Sequence, residues 1–358
     1  DAPIEFEQFP GGAANLTYLV RAGDLELVLR RPPLGPVAPG AHDMSREYRV
    51  LSRLWEEYRL APRAYHHCED PAVIGKDFFV MERRRGHVIR REWPSGFDDG
   101  ARLRLGNGLV DALVDLHRVD PAGVGLEDLG RPVGFVERQV AGWSRRWSAA
   151  ATRPVPAMDE LSTRLAEEVP EPQAAVILHN DFKLDNTMTD ADGNLVAVFD
   201  WDMATLGDPL VDLGTMLAYW ADPDDPTFLI FGAQAVTLAP HMAKGDVVAR
   251  YAERSGLDVT SIAYYEALAL WRIATIIEQI YARFVAGQTS DDRFAGFEPI
   301  AGAGDPVHPV HHAHRYHLGG AQPLPQIPGG ERPVAGGLEP KIPVAARAVD
   351  VDVRVVAR

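Results

Sequence analysis

Four polar residues near the middle of the chain have types and spacing that could do chemistry: Asp181, Lys183, Asn186 and Asp200. The first three lie in Asp181-Phe182-Lys183-Leu184-Asp185-Asn186, a polar loop after the apolar run Ala174 to Leu178. The fourth closes a second apolar run, Leu195 to Phe199. Each run reads as a short buried strand, so two strand ends would bring Asp181, Asn186 and Asp200 to one edge. Strand ends are rigid, which suits a site that must hold several oxygens at fixed distances. Phosphoryl transfer from a magnesium nucleotide needs such a set. It uses a carboxylate to orient the attacking hydroxyl, hard oxygen ligands for the metal, and cations near the moving group. Asp181 would supply the carboxylate, Asn186 and Asp200 the magnesium ligands, and Lys183 the charge on the transferring phosphate. The competing reading of the same residues is two buried strands with solvated loop acids.

The elements that must position this loop begin far upstream. Ile4 to Phe9 alternates and reads as a strand, Pro10 to Asn15 as a turn, and Leu16 to Arg21 as the returning strand. A glycine-containing hairpin, with Asn15 at its end, can cover nucleotide phosphates with backbone N–H groups; a plain hairpin is the alternative. Gly23-Asp24 turns the chain into a third strand, Leu25 to Arg30. Asp43 is placed to cap a helix in which Val50, Leu51, Leu54 and Trp55 recur at helical spacing. Ala64 to Cys68 and Asp77 to Met81 complete a small lobe of five strands and one helix. Downstream, Leu105, Leu109, Leu113 and Leu116 form the apolar stripe of a helix over Ala101 to His117; His117 is given no chemistry. Trp143 and Trp147 share one face of a helix flanked by Arg145 and Arg146. Ile262 to Phe284 is long and apolar, but Glu266, Arg272 and Glu278 interrupt it, so it reads as a buried helix of the larger lobe.

The chain has 358 residues, enough for two lobes of ordinary domain size. The expected division is 1–82, 83–300 and a tail at 301–358. A hydrophobic fraction of 46% with 24% charged residues is that of a soluble globular protein. The net charge of −15 and the absence of a dense basic patch argue against a nucleic-acid partner. A single cysteine, Cys68, rules out a disulfide within the chain and fits a reducing cytoplasm. No apolar run reaches the ~18 residues of a membrane span. The tail is rich in Pro and Gly and carries His308, His311, His312, His314 and His317, whose spacing matches no defined metal-ligand set.

The central stretch, Leu178-His179-Asn180-Asp181 through Asn186 with Phe199-Asp200-Trp201-Asp202, resembles the protein-kinase-like phosphotransferases of the aminoglycoside phosphotransferase and choline kinase type. Their catalytic loop reads H-G-D-x-x-x-x-N and their metal strand ends in D-W. Here Asn180 stands at the glycine position, and Asn tolerates positive φ better than most residues. The resemblance implies an α+β, two-lobed kinase-like fold, ATP and Mg2+ as cofactors, and a small-molecule substrate. It puts Arg30 where the family has a phosphate-gripping lysine, with Glu47 as its partner. Arg keeps the charge and can bind phosphate oxygens bidentately. It also implies a hinge at Met81-Glu82-Arg83 whose backbone would meet adenine, and gives Asp208 and Asp212 a buttressing role. Leu29 to Pro33, Arg46 to Leu51, the Trp143 helix and Ala204 to Pro209 are similar to one branch, the kinase-like domains associated with acyl-CoA dehydrogenases. That branch implies a hydroxyacyl-CoA or related hydroxy acid as acceptor, with the basic, aromatic helix suited to the CoA moiety. Two alternatives stay open: an inactive nucleotide- or acyl-CoA-binding module, supported by Asn180 and Arg30, and an aminoglycoside or small-alcohol kinase. A homodimer is also left open.

Overall fold

The computed structural model describes residues 3–9, 15–33, 43–220, 238 and 241–288. The tail and its histidines lie outside the described residues, as does the turn at 10–14 expected to cover phosphates.

The first lobe is one antiparallel sheet built from β1 (Ile4–Gln8), β2 (Leu16–Ala22), β3 (Leu25–Arg31), β4 (Ala64–Cys68) and β5 (Phe78–Glu82), in the order β1-β2-β3-β5-β4. Hairpins set the register of the first three strands, and Arg30 pairs with Phe79 on β5. Helix α1 (Met44–Leu54) packs on the sheet. Asp43 caps it by accepting the Arg46 N–H at 3.0 Å, an interaction that stabilises a helix by ~1 kcal/mol. Val50, Leu51 and Leu54 are buried as their spacing requires. Trp55, expected in the core, is only half-buried and lies under the Arg63 guanidinium at 4.3 Å. A four-residue helix, α2 (Pro71–Ile74), was not legible in the apolar pattern.

The second lobe is mainly helical: α3 (Asp99–His117), α4 (Phe135–Ala150), α5 (Pro156–Glu167), α6 (Leu210–Tyr219), α7 (Lys244–Ser255) and α8 (Ile262–Val285). The leucine stripe of α3 is fully buried. The core of this lobe forms where α6 meets α8. There Gly214 lets the two backbones approach so closely that a Cβ would lie 2.5 Å from the Tyr265 carbonyl carbon. The charges that interrupt α8 are all buried and all paired. Glu266 meets Lys244 at 2.7 Å, and Glu278 accepts from the Thr152 N–H at 2.8 Å and its hydroxyl at 2.6 Å. Among the described residues no helix is long and apolar enough to cross a membrane.

Four short strands, β6 (Val176–Leu178), β7 (Thr187–Thr189), β8 (Leu195–Val198) and β9 (Thr205–Gly207), lie where the lobes meet. The two apolar runs expected to share an edge belong to different ladders, β6 with β9 and β7 with β8. What brings their ends together is hydrogen bonding across the connections. The Phe199 N–H donates to the Asn186 carbonyl at 2.8 Å, and His179 Nε2 donates to the Phe199 carbonyl at 2.8 Å.

Candidate active site

The loop after β6 is shaped by a buried carboxylate below it. Asp212, on the first turn of α6, accepts the His179 N–H and the Asn180 N–H, each at 2.7 Å. Asn180 then adopts φ 65°, the left-handed region that a residue without Asn's short polar side chain enters at a cost. Its side-chain Nδ2 donates to the Met203 carbonyl at 2.9 Å, and its own carbonyl accepts from Arg272 of α8 at 3.0 Å. The glycine position of the motif is therefore filled by a residue that copies glycine's backbone and adds a hydrogen bond. His179 accepts the Asp181 N–H at Nδ1, 3.2 Å away, while Nε2–H points to Phe199. Both nitrogens are thus assigned, and the ring is the neutral Nε2–H tautomer. Below, His117 joins Asp212 (Nε2 to Oδ2, 3.4 Å) to the Tyr251 hydroxyl (2.7 Å). It scaffolds the loop and touches none of the chemistry-bearing side chains.

On this support Asp181, Lys183 and Asn186 meet. Asn186 Nδ2 donates to the Asp181 carboxylate at 2.8 Å and to the Asp181 carbonyl at 2.9 Å. Lys183 Nζ lies 3.0 Å from the same carboxylate and 4.9 Å above the Tyr219 ring. Burial works against the Lys183 ammonium, but Tyr219, Asp181 and Asp185 outweigh it and hold its pKa above the ordinary lysine value. The lysine is charged at any physiological pH.

Asp200 sits opposite, also at positive φ (68°), just past β8. Its Oδ1 meets the Arg30 guanidinium from the small lobe. Arg30 Nε lies 2.8 Å from Glu47 of α1, which is 1% exposed. This is an ion contact rather than an aligned hydrogen bond, for neither atom has a hydrogen-bond partner of good geometry. Burial pushes the Glu47 carboxyl up to about 8; Arg30 pulls it down, while Asp200 and Asp202 add to the rise. Burial disfavours the charged form of Arg30 as well, but the three acids more than restore it. The expected Arg30–Glu47 pair is present, and Arg30 extends it across the cleft to Asp200.

The remaining expected residues are placed less simply. Asn15 is buried at the head of β2, and neither atom of its side-chain amide has a hydrogen-bond partner among the described residues. The Glu82 carboxylate accepts the Arg63 N–H at 3.2 Å and meets Arg84 at 2.9 Å, while its own N–H donates to the Arg63 carbonyl. Arg83 is buried against Glu26 of β3, which Arg85 also meets at 3.1 Å. The run Arg83-Arg84-Arg85 is thus engaged within the fold and does not face a substrate phosphate as a free basic patch. Trp143 and Trp147 are core residues. Trp147 Nε1 donates to Asp159 at 3.0 Å and Arg146 stacks over Trp143 at 4.3 Å. The aromatic face expected to receive a CoA moiety is already covered, while Arg145 and Arg146 of that helix are exposed. Two residues went unassigned in the sequence: Arg272, a cation in the apolar middle of α8, and Tyr219, the last residue of α6. The first carried a signal, since an arginine inside a buried helix needs acceptors; the second carried none.

A five-stranded lobe with one pairing helix, over a helical lobe that presents an Asp–Lys–Asn loop and a second Asp at the cleft, defines a two-lobed kinase-like phosphotransferase. Comparisons with known proteins agree. The phosphotransferase enzyme family matches residues 5–246. Acyl-CoA dehydrogenase family member 10 of Mus musculus is 31% identical over 291 residues, 80% of this chain but 27% of that protein. Acyl-CoA dehydrogenase family member 11 of Rattus norvegicus is 31% identical over 297 residues, 81% of this chain and 38% of that protein. The chain thus spans well under half of either relative. A solved structure from Ralstonia eutropha, assigned as an aminoglycoside phosphotransferase, is 27% identical with a TM-score of 0.74, covering 88% of this chain and 94% of that one. A macrolide 2'-phosphotransferase type I shares the fold at 17% identity and a TM-score of 0.57, covering 85% and 92%. The chain belongs to the phosphotransferase enzyme family. It is a small-molecule kinase, with a hydroxyl group as acceptor.

Proposed function

We propose that the chain transfers the terminal phosphoryl group of ATP to the hydroxyl of a hydroxyacyl-CoA or a related hydroxy acid. One observation carries the phosphotransfer reading: a carboxylate, Asp181, held by the Asn186 amide at 2.8 Å and faced by Lys183 at 3.0 Å on a loop fixed by Asp212. Asp181 orients the acceptor hydroxyl and takes its proton as the oxygen attacks. Lys183 balances charge on the transferring group, and Arg30, steadied by Glu47, meets the nucleotide phosphates. Asn15 would add its unmet amide at the phosphates, and backbone atoms near Glu82 and Arg83 would meet the base. Residues 1–82 would form the nucleotide lobe and 83–300 the acceptor lobe.

The residues present fit a magnesium ion. Both hydrogen bonds of the Asn186 amide use its nitrogen, which leaves its oxygen for a cation, and Asp200 adds a carboxylate; hard oxygens are what magnesium takes. When bound there, the ion would neutralise phosphate charge and fix the nucleotide's geometry. Neighbouring structures of aminoglycoside phosphotransferase APH(4)-Ia were solved with ADP or AMP-PNP and hygromycin B, which supports a nucleotide as donor. The acyl-CoA acceptor is supported by the names of the curated relatives.

The test is ATP consumption with a panel of 4-hydroxyacyl-CoAs and their free acids, comparing wild type with Asp181→Ala. Turnover lost in Asp181→Ala is expected. MgATP that raises the melting temperature while no acceptor supports turnover would overturn the acceptor reading in favour of a binding module.

A further inference from the structure

Helix α1 has two working faces. One buries Glu47, Val50, Leu51 and Leu54. The opposite face, Ser45, Tyr48, Arg49, Ser52 and Arg53, lines a polar groove of about 570 Å³ closed on the far side by His66, His67 and Glu69 around β4. The groove lies outside the site described above, and nothing in the phosphotransfer reading uses it. Its size falls in the ~300–1,000 Å³ range of small-molecule sites. Tyr48 stacks on His67 with centroids 5.3 Å apart and planes within 25°, which makes a flat wall.

We propose that this groove binds a small phosphomonoester, held by Arg49 and Arg53, in competition with Asp128. Arg49 and Arg53 are one helical turn apart, so their guanidinium groups are neighbours on the helix surface. Guanidinium forks match phosphate oxygens bidentately, and two can share one dianion. Ser45 brings a hydroxyl to the same face, while Ser52 donates its own to the Arg49 carbonyl at 3.1 Å; the Tyr48–His67 wall gives an organic body something to lie against. Arg49 meets Asp128, a carboxylate of the large lobe with 70% of its side chain exposed. Arg53 makes no ion pair among the described residues, and its Nη1 lies 2.5 Å from where a Cβ on Gly125 would be. Both arginines therefore reach from α1 towards the segment 125–128 of the other lobe. A dianion bridging them takes the place of one solvated carboxylate. The other acid at the rim, Glu69, is 80% exposed and can swing into water.

The experiment is calorimetric titration of the full chain, its active site saturated with MgAMP-PNP, with inorganic phosphate and with phenyl phosphate. Phenyl phosphate is expected to bind more tightly than inorganic phosphate. Arg53→Ala and Arg49→Ala should each weaken it tenfold or more, and Asp128→Asn should tighten it at least threefold by removing the competitor. Absent binding, binding unchanged in both arginine variants, or an Asp128→Asn variant that binds no better would overturn the proposal. Thermal melts establish that each variant folds. Should Arg49→Ala not fold, Arg53→Ala and Asp128→Asn carry the test with opposite expected signs.

Discussion

Replacing Asp212 with asparagine separates a loop built from below from one that merely rests in place. Asp212 is fully buried, and its two oxygens accept two backbone N–H groups, from His179 and Asn180, each at 2.7 Å. Asparagine has the same shape but one acceptor. Its oxygen can face one N–H, and its NH2 must then face the other. That orphans one buried donor, at a cost of ~1–3 kcal/mol. In a chain of this size each kcal/mol moves Tm by ~2–4 °C, so Asp212→Asn should melt about 2–12 °C below wild type. The loop that carries Asp181 shifts with it. Because sub-ångström placement governs phosphoryl transfer, kcat should fall at least about tenfold. KM for ATP should change little, since the small lobe that carries Arg30 is untouched. Differential scanning calorimetry and steady-state kinetics read both quantities. An unchanged Tm with unchanged kcat would refute the claim that Asp212 sets the loop.

Asp181→Asn should lower kcat by about 10²–10⁴ while calorimetry finds nucleotide affinity unchanged, because the amide keeps the shape and loses the base. At Asn180, where φ is 65°, the alanine variant should be less stable than the glycine variant in urea melts; both lose the bond to Met203, and only alanine adds left-handed strain of ~1–2 kcal/mol. Glu47 provides a pH test, run in EDTA. Its carboxyl is raised from an ordinary 4.5 to about 8 in the fold, so its stabilising contribution is complete below pH 4.5 and is lost as pH rises through 8. Wild type should therefore lose stability relative to Glu47→Gln between those limits, by a few kcal/mol at most on ~1.4 kcal/mol per pH unit; parallel curves would show that the Arg30 contact cancels the burial.

Much of this site was readable because its parts are local in sequence. Asp181, Lys183 and Asn186 lie within six residues, and Asp200 closes the next apolar run, so two strand ends were enough to bring them near one another. The Arg30–Glu47 contact was readable for a different reason: the resemblance to the kinase-like family places both residues, whereas helical spacing alone leaves Glu47 on a solvated face. Where the reading failed, the missing information was tertiary. An i, i+4 pair of tryptophans beside arginines looks the same whether its rings face solvent or another helix, and α5 and α8, which pack on α4, decide that they are buried. The pairing of Arg83 and Arg85 with Glu26 was not readable either, because that glutamate lies more than fifty residues upstream. Periodicity located the β6 and β8 strands but could not say that each pairs with a different partner, since ladders this short carry no register signal.

The arrangement around Arg30 also explains why a guanidinium can stand where the wider family has an ammonium. The position must face a buried carboxylate on α1 and a half-buried one beyond β8 at once. A single Nζ is a point charge and satisfies one direction well. A planar fork uses Nε for Glu47 and Nη2 for Asp200 without moving. Three acids then crowd one cation, and the crowding adds to the rise that burial imposes on the Glu47 carboxyl even though its partner is adjacent. A second cation beside Asp200 would offset part of that negative charge. Negative charge is therefore stored at the mouth of the cleft by residues from both lobes, ahead of the cation and phosphates that phosphoryl transfer brings there.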